Sequence, residues 1–215
     1  MTVVSSYVAQ VKPGRAEEAL ALCRQAAKVV ERLGGHNVRL LRGQSGETYG
    51  ALVMSTEYDS EEAWGAGYDA LMSDDELISL MSRAESADAP YLTQVVSSAT
   101  EIPLGKKAAK RGNVMTVTIS RPNPGRFEDA IALGTKASRL FAKSGGSSRL
   151  FSMGYAGTQT GTLVMTTEFK NMAALGKAGD DFMTDPKGQD VFALVTGTDS
   201  PVTLLSQDVF IEVPL

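Results

Sequence analysis

The sequence predicts an α+β chain in which one β-α-β-β-α-β unit is written twice in tandem, and three observations carry that reading. The stretch GALVMSTEY at Gly50–Tyr58 returns as GTLVMTTEF at Gly161–Phe169, 111 residues later. The same offset relates Pro13-Gly14-Arg15 to Pro124-Gly125-Arg126, Gly34-Gly35 to Gly145-Gly146, and Pro103-Leu104 to Pro214-Leu215. About 29 of roughly 103 positions agree without a gap, which is the signature of an internal repeat. In each copy the apolar period switches between two and 3.6 in the same order.

The elements follow in turn. Val3–Val11 is a strand of β-branched and small residues, ended by Lys12-Pro13-Gly14. From Arg15 the apolar residues Ala19, Leu20, Cys23, Ala27 and Val30 recur at helical spacing, with Glu17, Glu18, Lys28 and Arg32 opposite. Gly34-Gly35 is the expected left-handed stop. Asn37–Arg42 and Tyr49–Tyr58 read as the second and third strands, joined by a turn at Gln44–Glu47. A second helix opens at Ser60-Glu61-Glu62 and restarts at Ser73-Asp74-Asp75, an N-cap signal. Tyr91–Ile102 closes the copy. The second copy repeats the pattern from Val114 to Val213, with Asp185-Pro186 marking the corresponding helix break. This order is ferredoxin-like. The expected domains are 1–104 and 113–215, joined by the basic linker 105–112.

In the third strand Leu52, Met54 and Tyr58 alternate with Ala51, Val53, Ser55 and Glu57, and the second copy keeps the pattern. The larger set should bury against the helices. The smaller, more polar set lines a sheet face without helices, and the second copy is its expected partner, making an intramolecular pseudo-dimer open to further homo-oligomerisation.

Composition narrows the functions. A net charge of −4 and no concentrated basic face argue against nucleic acid. No run of about 18 apolar residues spans a membrane. One cysteine excludes an intrachain disulfide and, with the lack of a signal-peptide pattern at the N-terminus, predicts a cytoplasmic protein. His36 is the only histidine, and neither a metal-ligand cluster nor a phosphate-binding glycine loop is legible, so no metal or other cofactor is expected. Cys23 lies on the apolar face of the first helix and reads as a core residue.

The aromatic residues divide unevenly. Tyr7, Tyr49, Tyr58, Tyr68, Tyr91 and Trp64 lie in the first copy, which has no phenylalanine; all seven phenylalanines lie in the second. Buried tyrosine and tryptophan want partners for their polar tips and so suit the edge of a pocket. Trp64 and Tyr68, four apart, share a helical face. The expected ligand site is therefore in the first copy, between sheet and second helix, lined by Tyr7, Trp64, Tyr68 and Tyr49. Glu57 is the candidate catalytic residue, although its recurrence as Glu168 favours a structural carboxylate over a base.

The run Val11–Arg15, with Thr56-Glu57-Tyr58 leading into Asp59–Trp64, resembles dimeric α/β-barrel proteins of the antibiotic-biosynthesis monooxygenase type. The resemblance implies a barrel or sandwich of ferredoxin-like units with pockets between sheets and helices. It also implies one of two functions: binding of a small aromatic or apolar molecule, or cofactor-independent oxygenation of a phenolic or quinol-like substrate. In the second, Glu57 or a tyrosine beside Arg39 would take the substrate's proton. Members of that family often carry a histidine one turn into the second helix; the matching positions here are Gly67 and Ala178. The haem-cleaving branch pairs a tryptophan with a nearby histidine, and this chain offers only Trp64.

Overall fold

Residues 1–105 and 110–215 are described in a computed structural model. Residues 106–109, the centre of the expected linker 105–112, lie outside them. The first copy contains β1 (Val3–Val11), α1 (Ala16–Arg32), β2 (His36–Gly43), β3 (Ala51–Tyr58), α2 (Glu61–Met72), α3 (Asp75–Ala84) and β4 (Tyr91–Ile102). The second contains β5 (Val114–Pro122), α4 (Phe127–Lys143), β6 (Ser147–Met153), β7 (Leu163–Phe169), α5 (Met172–Thr184), α6 (Pro186–Thr196) and β8 (Val202–Val213). The fold is mixed α+β, with antiparallel strand pairs in both copies. No described helix is long and apolar enough to cross a membrane.

The chain condenses into two compact units. Unit 1 holds residues 1–100, 154–158 and 212–215; unit 2 holds 101–153 and 159–211. The boundaries therefore differ from a simple cut between copies. Each unit's sheet has its longest strand at one side: β4-β1-β3-β2 in unit 1 and β8-β5-β7-β6 in unit 2.

Local chemistry explains the elements. Ser60 Oγ accepts from Ala63 N at 3.0 Å to start α2, and Asp74 Oδ1 accepts from Leu77 N at 3.0 Å to start α3. Asp185 caps α6 through Lys187 N at 2.9 Å, with Pro186 in the first turn, where a missing N–H costs nothing. Gly34 and Gly145, at φ +102° and +83°, stop α1 and α4 in the left-handed region that a Cβ disfavours. The third strands begin at Ala51 and Leu163, later than the sequence pattern suggests for the first. Gly50 and Gly161 have φ +76° and +80° and belong to the preceding turns.

One correction concerns the repeat itself. The gapless alignment matches Arg39 with Leu150, but in the ladders Arg39 faces Ser55 and Arg149 faces Thr166. Arg39 and Arg149 are thus the equivalent pair, followed by Leu40 and Leu150, both fully buried. The extra residue in β2 is absorbed by a register shift between His36 and Arg39, where Asn37 takes φ +48°. Asparagine tolerates that conformation better than most side chains.

These two arginines anchor the ends of the long strands. In unit 1 Arg39 Nη2 donates to Glu212 Oε2 at 2.9 Å, both side chains largely buried. In unit 2 Arg149 donates through Nε and Nη2 to both oxygens of Glu101, at 2.9 and 2.8 Å. Removing one member of a buried ion pair strands the other's charge. Glu212→Ala is expected to lower stability by about 3 kcal/mol in urea unfolding; a loss under about 1 kcal/mol, the scale of a surface pair, would show that solvent already screens the pair.

Candidate functional site

Unit 1 contains a cavity of about 170 Å³ between the helix-covered face of its sheet and the three helices. Its strand wall is Tyr7, Met54, Thr56, Tyr58 and Tyr91. The residues Leu22, Cys23, Ala26 and Val30 of α1 form the opposite wall. Leu71 of α2 and Leu77 and Leu80 of α3 complete it. Tyr68, Met72 and Val96 also line it and are 46%, 47% and 53% exposed, so they form its mouth.

The cavity exists because the two copies fill the same layer differently. In unit 2 Phe141 stacks on Phe182 at 5.2 Å between ring centres and meets Phe169 edge-on at 6.2 Å. The equivalent positions in unit 1 are Val30, Leu71 and Tyr58, all of which line the cavity. Two phenylalanines replaced by smaller aliphatic residues leave room that the neighbours do not collapse to fill.

Its walls are neutral. Tyr7 OH is hydrogen-bonded to Thr93 Oγ1, and its ring meets Tyr91 edge-on at 6.3 Å. Burial raises the pKa of Tyr7, Tyr58 and Tyr91, and pushes the Cys23 thiol up to about 11. Each of these groups stays protonated at neutral pH, so none is a ready base.

The sequence-predicted site residues separate. Tyr7 and Tyr68 line the cavity; Trp64 and Tyr49 do not. Trp64 stacks on Tyr155 with ring centres 5.4 Å apart and leans on Tyr68 at 6.1 Å. Tyr49 is 71% exposed and lies in a separate groove with Lys12 and Arg42. Glu57 occupies the alternate face of β3 from Met54, Thr56 and Tyr58, and its Oε1 accepts from Asn37 Nδ2 at 2.6 Å. Arg39 is tied to Glu212. Sequence reasoning overlooked Tyr91, Val30 and Leu71, and treated Tyr58 only as a packing residue. The signal for Val30 and Leu71 was present as Val30 against Phe141 and Leu71 against Phe182.

Gly67 explains the missing helix histidine. A Cβ there would stand 2.7 Å from Tyr58 Cε1, so any side chain would displace the tyrosine ring. A haem does not suit this cavity either, because the single imidazole, His36, lies outside its lining and pairs with Asp59 at 3.2 Å. Among the described residues no group of three or more His, Cys, Asp or Glu could hold a metal ion.

The raised acids predict alkaline sensitivity. Below about pH 9, the ordinary thiol range, Cys23 is protonated folded or unfolded and contributes nothing to the pH slope. Between about 9 and about 11 only the unfolded chain loses the proton, so stability falls as pH rises. Melting temperature is expected to decline from about pH 9, and Cys23→Ala to move the onset upward towards the tyrosine range. A Cys23 thiol that reacts with an aromatic disulfide reagent at pH 8 as fast in the folded protein as in urea would refute the burial argument.

No family model matches the chain, and comparison with curated proteins finds no match by sequence. Solved structures do share its fold. An anthrone oxidase-like protein superimposes with a TM-score of 0.66 at 12% identity, covering 99% of this chain and 91% of that one. A candidate monooxygenase from Fusobacterium nucleatum gives 0.64 at 9% identity, covering 99% and 93%. A candidate chlorite dismutase gives 0.61 at 10% identity, covering 99% and 95%. At such identities the likeness is one of fold over the whole chain.

Proposed function

We propose that this protein binds a small, neutral aromatic or apolar molecule in the cavity of unit 1, and that its copies are ferredoxin-like repeats in a single-chain version of a dimeric α/β barrel. The difference between the copies carries the ligand reading: unit 1 keeps open a space that Phe141 and Phe182 occupy in unit 2. An apolar cavity of about 150 Å³ accommodates benzene in another protein, so about 170 Å³ suits one ring. The absence of charge on the lining favours a neutral occupant, since an ion would lose its hydration without a partner.

The alternative is cofactor-independent oxygenation of a phenolic or quinol-like compound. It draws on the fold shared with the anthrone oxidase-like protein and the candidate monooxygenase. It needs a base beside the substrate, and Glu57 lies on the other face of β3 while Tyr7, Tyr91 and Cys23 hold their protons. Binding without chemistry at this cavity is the better-supported reading.

Toluene is a suitable probe. The wild-type protein is expected to show saturation-transfer NMR signals with toluene and a melting temperature that rises with its concentration. Val30→Phe with Leu71→Phe, which copies unit 2, should abolish both effects while leaving far-UV circular dichroism unchanged. The reverse pair, Phe141→Val with Phe182→Leu, should lower stability by about 2–5 kcal/mol through an opened cavity. Wild type indifferent to toluene would sink the binding reading; oxygen uptake with an anthrone or quinol would establish the oxygenase instead.

A further inference from the structure

The groove that holds Tyr49 is a separate opening in unit 1, of about 260 Å³. Two turns form its rim. At the first, Arg15 N donates to Lys12 O at 3.1 Å around Gly14, whose φ is +76°. At the second, Gly50 N donates to Gly43 O at 3.0 Å, and Gln10 Nε2 donates to Tyr49 O at 3.4 Å. Gly43 lies so close to Thr48 that a Cβ would stand 1.9 Å from its carbonyl oxygen, so the loop presenting Tyr49 has little room to rearrange. The floor is apolar, made by Val11, Ala16, Leu20 and Leu52. Arg42 faces Leu52 across the β2–β3 ladder, which puts both on one face of the sheet.

Lys12 and Arg42 are the charged residues of this groove, and no aspartate or glutamate lines it, although acidic residues outnumber basic ones in the first copy. Among the described residues neither cation forms an ion pair. Lys12 Nζ donates only to the Ala87 carbonyl, at 3.3 Å, and the Arg42 guanidinium has no acceptor. Arg15 and Arg32, by contrast, are each held by two carboxylates. The second copy discards these features together. Lys12 corresponds to Asn123, whose amide donates to Ser200 O at 2.7 Å and accepts from Thr203 Oγ1 at 2.9 Å. Arg42 corresponds to Ser152, which faces Leu163 as Arg42 faces Leu52. Tyr49 corresponds to Thr160, and Ala16 of the floor to Phe127. Only Arg121, at the position of Gln10, brings a charge in return. The same turns and strands therefore form without Lys12 and Arg42, so the fold does not require the two cations.

We propose that this groove is a second ligand site, for a small organic oxyanion. Its carboxylate or phosphate would lie between Arg42 and Lys12, and its apolar body on the floor beside Tyr49. The planar guanidinium can give two parallel N–H bonds to such a headgroup, and the ammonium adds a point charge. A partly enclosed groove strengthens that attraction over open water. The site is independent of the cavity and stands whether or not the cavity binds a neutral molecule.

Butyrate, butyl phosphate and butanol test this, because they share an alkyl body and differ in the headgroup. In titrations followed by residue-resolved NMR, butyrate, butyl phosphate or both are expected to move the amides of Lys12, Arg42, Tyr49 and Gly50, and butanol is not. The tighter of the two anions identifies the headgroup. Arg42→Gln should weaken that anion by about tenfold or more, and Arg42→Lys by less, since it keeps the charge and loses the fork. Raising sodium chloride from about 0.02 M to about 0.3 M should weaken it as well. Because the Arg42 side chain has no acceptor in the protein, Arg42→Gln should keep the urea midpoint of wild type, which separates lost binding from lost fold. Groove amides unmoved by both anions overturn the proposal. So does an affinity changed less than about twofold by Arg42→Gln, or an equal response to butanol.

Discussion

The contact between the ring at the end of the third strand and the helix that follows it fixes most of what is distinctive in this protein. Tyr58 in unit 1 and Phe169 in unit 2 are almost wholly buried, and each faces a residue with little or no side chain, Gly67 or Ala178. The ring therefore sets how closely helix and sheet approach. Once that spacing is set, the residues beside the ring decide whether the layer is solid or hollow. Phe141 and Phe182 fill it in unit 2; Val30 and Leu71 do not in unit 1. Interiors pack densely, and a rigid frame relaxes only partly around smaller side chains.

Charge is kept away from that hollow. The carboxylates Glu57 and Glu168 sit on the alternate face of their strands, where Glu57 accepts from Asn37 and Glu168 accepts from the amide of Gly112 at 2.6 Å. The arginines Arg39 and Arg149 are committed to Glu212 and Glu101. The cavity is left with hydroxyls and one thiol whose ionisation burial opposes. Such a lining can recognise a neutral polar atom but supplies little driving force for proton abstraction. That separation places no carboxylate and no guanidinium among the residues that line the cavity.

The sequence by itself determined the α+β class, the repeated order of elements and most boundaries, because these depend on local signals. Ser60, Asp74 and Asp185 announce their helices by capping chemistry, Gly34 and Gly145 end theirs, and the period-two alternation of Leu52, Met54 and Tyr58 assigns a strand face. The uneven sharing of tyrosine and phenylalanine also pointed to a cavity in the first copy. Tertiary structure decided the rest. Arg39 matches Arg149 rather than Leu150 because a register shift between His36 and Arg39 realigns the buried leucines, which no gapless comparison can register. Trp64 was drawn aside by Tyr155, more than 90 residues distant in sequence, and Glu57 was separated from the cavity by the pleat of its own strand. An empty volume is a property of side chains from five or more elements meeting at once, so only the folded chain shows that Val30, Leu71 and Tyr58 enclose one.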